Sequence, residues 1–415
     1  MRKLLALVLA VIMIASLTSF SLGEEKVTLN FQMWSDEQEL FDKLIELYTA
    51  EHPNVTINMT CTPSNDYGTK LQAVVGDADM FGISSPPGLA EYVNKGAVLA
   101  LDDLIAEKQT DLSGIEGIVD SIKIDDKVYG LPYKTSSWVV YYNKDLFDAA
   151  GIAYPEGDWT WEEYFELAGK LTSGEGSDKI YGSLNFQPTS MWWRVPGNTR
   201  KATNPLNDDE LHAWMEAAAY CKSLSDAGYQ PLYEDMASDA GADYAGNFLQ
   251  GKYAMFYTGD WAIEMLNTAI RNGDGQINYD IAPLPHWEGD EPVTVGAAGL
   301  LMVTSTTKYP EIAYDFISFC TGAEASKTLL AMDYFPAWQD ENTIATYCEG
   351  KLAPEHIEYI VNQTIISQVP CDALYNPAAN ICKEEVSLFL LDEQDIETTE
   401  ENCKARILEE VVNAK

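Results

Sequence analysis

The stretch VYGLPYKTSSWVVYYNKDLF, Val128 to Phe147, limits the possible folds more than any other part of the chain. Trp138 to Tyr142 is a run of five β-favouring residues without polar alternation. A strand of that kind is buried on both faces, which requires a sheet covered by helices. Pro132 biases Leu131 to extended backbone, because its ring clashes with a helical predecessor. Between the two extended pieces lie Lys134, Thr135, Ser136 and Ser137. A short polar run in that position is the pattern of a hinge strand joining two lobes. Asn143–Lys144–Asp145 then opens a helix.

A chain of 415 residues is long for one core, so two domains are expected. The 65 acidic against 26 basic residues give a formal net charge of −39. A surface so acidic repels phosphate, which argues against nucleic acid as a partner. Arg2 and Lys3 precede an apolar run from Leu4 to Leu17, and Ser21 and Gly23 allow cleavage before Glu24. Residues 1–23 therefore read as a secretion signal, since the run is short of the roughly 20 residues a spanning helix needs. No later stretch reads as transmembrane. Seven cysteines follow, an odd number, with no C-x-x-C and no zinc-ligand spacing. Cys371–Cys382 is one possible local bridge. Buried thiols packing as small hydrophobes are the alternative.

Val27 to Met33 alternates apolar and polar residues, as a strand does, and so does Val55 to Met59. Between them Leu40, Phe41, Leu44, Ile45, Leu47 and Tyr48 form the face of an amphipathic helix, which Ser35 and Gln38 would open as a capping box and His52–Pro53 would end. A helix near 67–75, a strand at 79–83 and a helix near 87–95 continue the alternation, which argues an α/β lobe with a largely parallel sheet. Thr160 and Glu163 form a second capping box, before a helix to about Leu171. Asp208 to Leu224 is a long helix. Tyr253 to Tyr257 and Tyr279 to Ala282 are strands, and Thr294 to Thr304 is extended. Helices are expected at 310–320 and 323–332, and the remainder from about Asn342 reads as helices broken by Pro354, Pro370 and Pro377.

This order of motifs resembles the extracellular solute-binding proteins of ABC importers, the group that includes maltose-binding protein. The matching stretches are LNFQMWS with AEHPNVTIN, TKLQAVVGDADMFGIS with LAEYVNKGAVLALDDLI, VYGLPYKTSSWVVYYNKDLFDAAGI with WTWEEYFELAGKL, FLQGKYAMFYTGDWAIEML, and YDIAPLP running to KYPEIAYDFISFC. The resemblance implies an α/β, two-lobed, type II periplasmic-binding-protein-like fold with the ligand in the inter-lobe cleft. It implies lobes of 24–135 plus 292–335 and of 136–291 plus 336–415, with crossings near Tyr133–Ser137, His286–Pro292 and Asp333–Trp338. It further implies a secreted monomer that binds a carbohydrate, an oligosaccharide or glycoside, by hinge closure and delivers it to a membrane permease, without catalysis or cofactor. Gram-positive members of that group usually carry a lipidated cysteine at the end of the signal. Here the matching stretch is Ser21–Leu22–Gly23–Glu24, so that anchor is not expected.

Sugars offer apolar C–H faces and a rim of hydroxyls, so their sites want aromatic platforms and planar polar groups. Trp34, Ser35 and Asp36 follow the first strand at its carboxyl end, where open α/β sheets place ligands. A core Trp and a capping Ser are the bland alternatives. Ser84 and Ser85 follow the 79–83 strand in the same way, or form a plain turn. Ser136 and Ser137 lie in the hinge run. Of Trp192 and Trp193, next to a loop with Asn185, Gln187 and Pro188, one is expected as a cleft platform. Asp260 and Trp261 sit where the family places a stacking aromatic at a helix start, with Asp260 as N-cap the alternative. Trp338 lies at the third crossing, placed to close the cleft. Enzyme motifs are missing: there is no G-x-S-x-G, P-loop or H-E-x-x-H. The four histidines show no metal spacing, and Asn272 to Gln276 fails as a calcium loop at Ile277. A same-fold receptor for a polyamine, a glycerol phosphate or a metal chelate, and a secreted carbohydrate-active enzyme, remain the competing readings.

Overall fold

A computed structural model describes residues 25–84, 86–184, 192–236, 244–340, 345, 354–361 and 363–414. Its strands form two main sheets. The first has the order β2-β1-β3-β10-β4, with β1 Val27–Trp34, β2 Val55–Thr62, β3 Met80–Ile83, β4 Leu131–Thr135 and β10 Ala298–Val303. β1 pairs in parallel with β2, from Val27 opposite Val55 to Trp34 opposite Thr62, and with β3. Val27, Leu29, Phe31 and Met33 are buried while Thr28 and Asn30 are exposed, as the alternation requires. β10 runs antiparallel between β3 and β4, because it enters this sheet on its return from the second lobe.

Helices α1 Gln38–Glu51, α2 Ser64–Val74, α3 Pro86–Asn94 and α4 Glu116–Ser121 belong to this lobe. Phe31 sits edge-on to Phe41 of α1 (5.2 Å) and to Phe316 (5.8 Å), and Phe41 edge-on to Tyr133 (5.2 Å). The expected Ser35–Gln38 capping box does not form. A 3₁₀ turn over Ser35–Glu37 precedes α1, and neither element carries a side-chain cap. The turn directs Glu37 into the lobe interior instead.

The second sheet has the order β6-β7-β5-β8, with β5 Trp138–Asn143, β6 Tyr181–Ser183, β7 Tyr253–Gly259 and β8 Tyr279–Pro283. β5 is central, antiparallel to both β7 and β8, and all six of its residues are buried. Val139 and Tyr141 enter one apolar cluster, and Trp138, Val140 and Tyr142 enter another on the opposite face. Asn143 caps α5 (Lys144–Ala150) by accepting from the amides of Asp145 (3.0 Å) and Leu146 (3.3 Å). Thr160 and Glu163 form the expected capping box of α6 (Trp161–Leu171). α7 is Asp208–Asp226 and α8 is Trp261–Asn272. α9 (Pro310–Cys320) and α10 (Ala323–Ala331) return to the first lobe's core, and α11 (Tyr375–Leu390) and α12 (Ile396–Arg406) pack on the second.

The chain leaves β4 for β5 through Ser136 and Ser137. It comes back between β9 (Thr294–Gly296) and β10, at Ala297. His286 still belongs to the second lobe, where its amide donates to the Trp159 carbonyl (3.0 Å), and Val295 packs in that lobe's core. The third segment lies along β4: Thr135 N–H donates to Phe335 O (3.1 Å) and Ala337 N–H to Tyr133 O (3.0 Å). Where only helices were expected, Ile365–Ser367 forms β11, parallel to β9. Cys371 and Cys382 are not bridged. The Cys371 thiol donates to the Pro86 carbonyl (3.5 Å), while Cys382 is buried in the second lobe and hydrogen-bonded to Cys403. No helix among the described residues is long and apolar enough to cross a membrane.

Candidate functional site

β1 ends at Trp34 and β3 at Ile83, and the carboxyl ends of such strands are where open α/β sheets take ligands. The Trp34 ring meets Tyr67 edge-on at 5.5 Å. The Tyr67 hydroxyl donates to the carbonyls of Gln32 (3.0 Å) and Gly82 (2.7 Å), which fixes that pair. At Gly82 a Cβ would lie 3.3 Å from the Trp34 ring and closer still to Met33 Sδ, so a side chain there would make Met33 and the ring shift. The following turn brings in Glu37, only 2 % exposed. Its carboxylate accepts from the Tyr133 hydroxyl and pairs with the Lys134 ammonium. The Lys134 Nζ lies 5.9 Å from the ring centres of Trp34 and Tyr133 and 5.6 Å from that of Tyr334. The Tyr334 hydroxyl donates to the Asp36 carbonyl (3.2 Å).

The second lobe contributes the start of α8. Trp261 stands edge-on to Trp138 at 5.6 Å, and its Nε1–H donates to the Tyr244 hydroxyl (3.2 Å). Gly259 leaves room for it, since a Cβ would overlap the Trp261 ring. Asp260 is buried and does not cap α8 with its side chain. Its N–H donates to the Ser137 carbonyl (3.0 Å), and its Oδ1 accepts from the Ser137 amide (3.2 Å). Burial pushes the Asp260 carboxyl up to about 7. Lys134 opposes that shift and Glu37 adds to it. Glu37 and Lys134 of the first lobe and Asp260 of the second therefore share one electrostatic environment. Burial also raises the Tyr334 hydroxyl, helped by Glu37, Glu264, Asp36 and Glu39, so it stays a donor.

Of the residues singled out from the sequence, Ser137 and Asp260 are bonded to each other and Trp261 follows directly, while Trp34, Ser137 and Asp260 are buried, Trp34 in the first core as its alternative reading had it. Asp36 is exposed and accepts from the Ser64 hydroxyl (2.7 Å). Ser35 is half-buried in the turn, and Ser84 is exposed at the end of β3. Ser85 lies outside the described residues. The Ser136 hydroxyl donates to the Ala297 carbonyl and accepts from the Ala297 amide, both at 3.1 Å, so it ties the two crossing strands together.

Two expectations are corrected. Trp192 and Trp193 are both buried in the second lobe, with Trp193 edge-on to Trp214 at 5.9 Å, and neither is an open platform. Trp338 is buried in the first core rather than set to close the cleft. Its indole lies against Gly114, where a Cβ would come within 2.5 Å. Glu37 and Tyr334 were not anticipated. The signal for Glu37 was there: it precedes Leu40 and Phe41 by three and four residues, on the buried stripe of the helix that follows.

A separate cavity of about 480 Å³ touches Thr135, Ser136 and Gly296 at the crossing strands, with Ile118, Ile122, Ile365 and Val369 among its walls. No aromatic or charged side chain lines it. Rings and charged groups converge instead around Lys134, the arrangement a polyhydroxylated ligand needs. Among the described residues no group of three or more His, Cys, Asp or Glu is placed to hold a metal ion.

Residues 34–327 match the family model for the bacterial extracellular solute-binding protein. The chain belongs to that family. The span contains every element of the cluster up to α8 and the crossing strands, and ends just before Tyr334. A sugar transporter of Rhizobium etli, solved in an open conformation, is 26 % identical and superposes with a TM-score of 0.78 over 92 % of this chain and 99 % of its own. An ABC substrate-binding protein of Listeria monocytogenes, solved with cycloalternan, is 23 % identical with a TM-score of 0.81, over 93 % and 99 %. In sequence, the sn-glycerol-3-phosphate-binding periplasmic protein of Rhizobium meliloti is 28 % identical over 242 residues, 55 % of this chain and 53 % of that one. These solute-binding proteins share the type II periplasmic-binding-protein fold, and this chain has it.

Proposed function

We propose that this solute-binding protein receives a carbohydrate, an oligosaccharide or glycoside, and delivers it unchanged to the permease of an ABC importer. The observation that carries this reading is the cluster of Trp34, Glu37, Lys134 and Tyr334 from one side of the crossing strands and Asp260 and Trp261 from the other. A ligand touching both sets is bound more tightly when the lobes are together, so it shifts the population toward the closed state. The sugar transporter of Rhizobium etli and the cycloalternan complex of the Listeria protein support a saccharide ligand. The protein acts as a secreted monomer after loss of residues 1–23, without a lipidated cysteine and without catalysis. A receptor for a glycerol phosphate is the second reading, favoured by the Rhizobium meliloti relative.

A thermal-shift screen of the mature protein against mono- and oligosaccharides, with glycerol phosphates and polyamines as controls, tests the assignment. A ligand at about 100 times its Kd adds about 2.7 kcal/mol, a visible rise in the midpoint. A saccharide that raises the midpoint and is recovered intact supports the receptor. One that is consumed argues for an enzyme, and a shift with the controls alone overturns the carbohydrate assignment.

A further inference from the structure

Lys134, the cation of the cluster among the described residues, is already paired with a carboxylate. Glu37 is buried by the 3₁₀ turn, accepts from the Tyr133 hydroxyl on one carboxylate oxygen, and pairs with the Lys134 ammonium through the other. Among the described residues, the further charged groups named around this pair and Tyr334 are carboxylates. Asp260 is buried and within range of both partners, and Asp36 and Glu264 act with Glu37 on the Tyr334 hydroxyl. Two arginines of the second lobe are engaged elsewhere. Arg271 pairs with Asp333 at 3.2 Å. Arg194 is enclosed in the second lobe, bonded to the Tyr375 hydroxyl and lying 5.5 and 5.9 Å from the Trp214 and Tyr375 ring centres. Phosphate recognition needs the reverse, an Arg or Lys with free donors or a cluster of amides.

We propose that Glu37 sets ligand charge: by occupying Lys134 it makes the cleft accept an uncharged saccharide and refuse a phosphorylated or acidic one. This rests on the cleft being the ligand site, and it goes further by naming the class of saccharide. Lys134 keeps the geometry to donate to a sugar hydroxyl, since an ammonium has three donors and Glu37 takes one. It lacks the net charge to offset the desolvation of a dianion facing Asp260.

The test uses charge-matched probes on the full mature protein. Wild-type midpoints are measured with glycerol 3-phosphate and inorganic phosphate, and with each neutral saccharide beside its phosphate ester. The expected result is no rise with either phosphate probe, and at least about tenfold weaker binding of each ester than of its parent sugar, which is the effect of 1.4 kcal/mol. Glu37→Gln keeps the shape and the Tyr133 contact but frees the Lys134 charge. It is expected to narrow the ester-to-sugar ratio about tenfold and to gain a phosphate-induced rise. A wild-type rise with phosphate, or an ester bound as well as its parent, overturns the proposal whether or not the variant folds. A folded Glu37→Gln with an unchanged response to phosphate also overturns it. Absence of any saccharide hit, with no phosphate response in wild type and a gain in Glu37→Gln, defeats the carbohydrate reading and leaves the charge filter standing.

Discussion

Asp260 grips Ser137 twice, once by donating its own amide to the Ser137 carbonyl at 3.0 Å and once by accepting the Ser137 amide on Oδ1 at 3.2 Å. The pair continues the β5–β7 ladder by one step beyond Trp138 and Gly259. It thus anchors Ser137, the residue before β5, to the second lobe.

The Asp260 carboxyl is raised to about 7, first by burial, against about 3.9 in an unfolded chain. The folded state therefore holds this proton more tightly, and its contribution is present at low pH and lost as pH climbs from about 4 to about 7. The full span corresponds to about 4 kcal/mol as an upper bound. Asp260→Asn should flatten that part of the curve of unfolding free energy against pH, read from urea midpoints. A wild-type curve that rises steadily across the same range, and an identical one in the variant, would contradict the assignment.

Removing Lys134 should be costly because of what it leaves behind. Lys134→Met strands the buried Glu37 carboxylate near Asp260, and a broken buried pair typically costs about 3–5 kcal/mol. The double variant Glu37→Gln, Lys134→Met should recover most of that loss. Chemical denaturation of the two proteins checks the difference, and equal destabilisation would show that the pair is not coupled.

The tryptophans should divide by role. Trp193→Ala empties the second core and should cost about 3–5 kcal/mol of stability. Trp261, half-buried at the start of α8, should lose ligand affinity by tenfold or more while the midpoint falls less than for Trp193→Ala. Calorimetric titration and thermal melts of both variants separate the two outcomes.

Cysteine reactivity follows burial. The thiols of Cys221 and Cys320 are pushed up by burial, and that of Cys382 by its hydrogen bond with Cys403 and then by burial. Thiolate is the reactive form. Native alkylation followed by mass spectrometry should label Cys61 and Cys371, which are half-buried, before those three. Prompt labelling of Cys221 would mean its core opens readily.

Much of the architecture was legible in the sequence because it rests on local periodicity. β1 alternates, β5 is apolar throughout, and Thr160–Glu163 caps as its spacing requires. The two extended pieces of Val128 to Phe147 were legible too, but Lys134 and Thr135 continue β4 and only Ser136 and Ser137 connect it to β5. What was missed depends on tertiary placement. Two adjacent tryptophans look like a platform, but packing of α7 against them turns both into core. β11 exists only because β9 offers it an edge, which no feature of Ile365–Ser367 reveals. Tyr334 joins the cluster from 298 positions beyond Asp36, a meeting that local pattern does not encode.

The most direct test of a hinge-closing receptor is small-angle X-ray scattering of the mature protein, without ligand and then saturated with the saccharide that gives the largest thermal shift. The account predicts a smaller radius of gyration in the saturated sample, and a weaker response in Trp261→Ala at the same ligand concentration. A saccharide that binds stoichiometrically while the radius of gyration stays unchanged would contradict closure of the lobes around it.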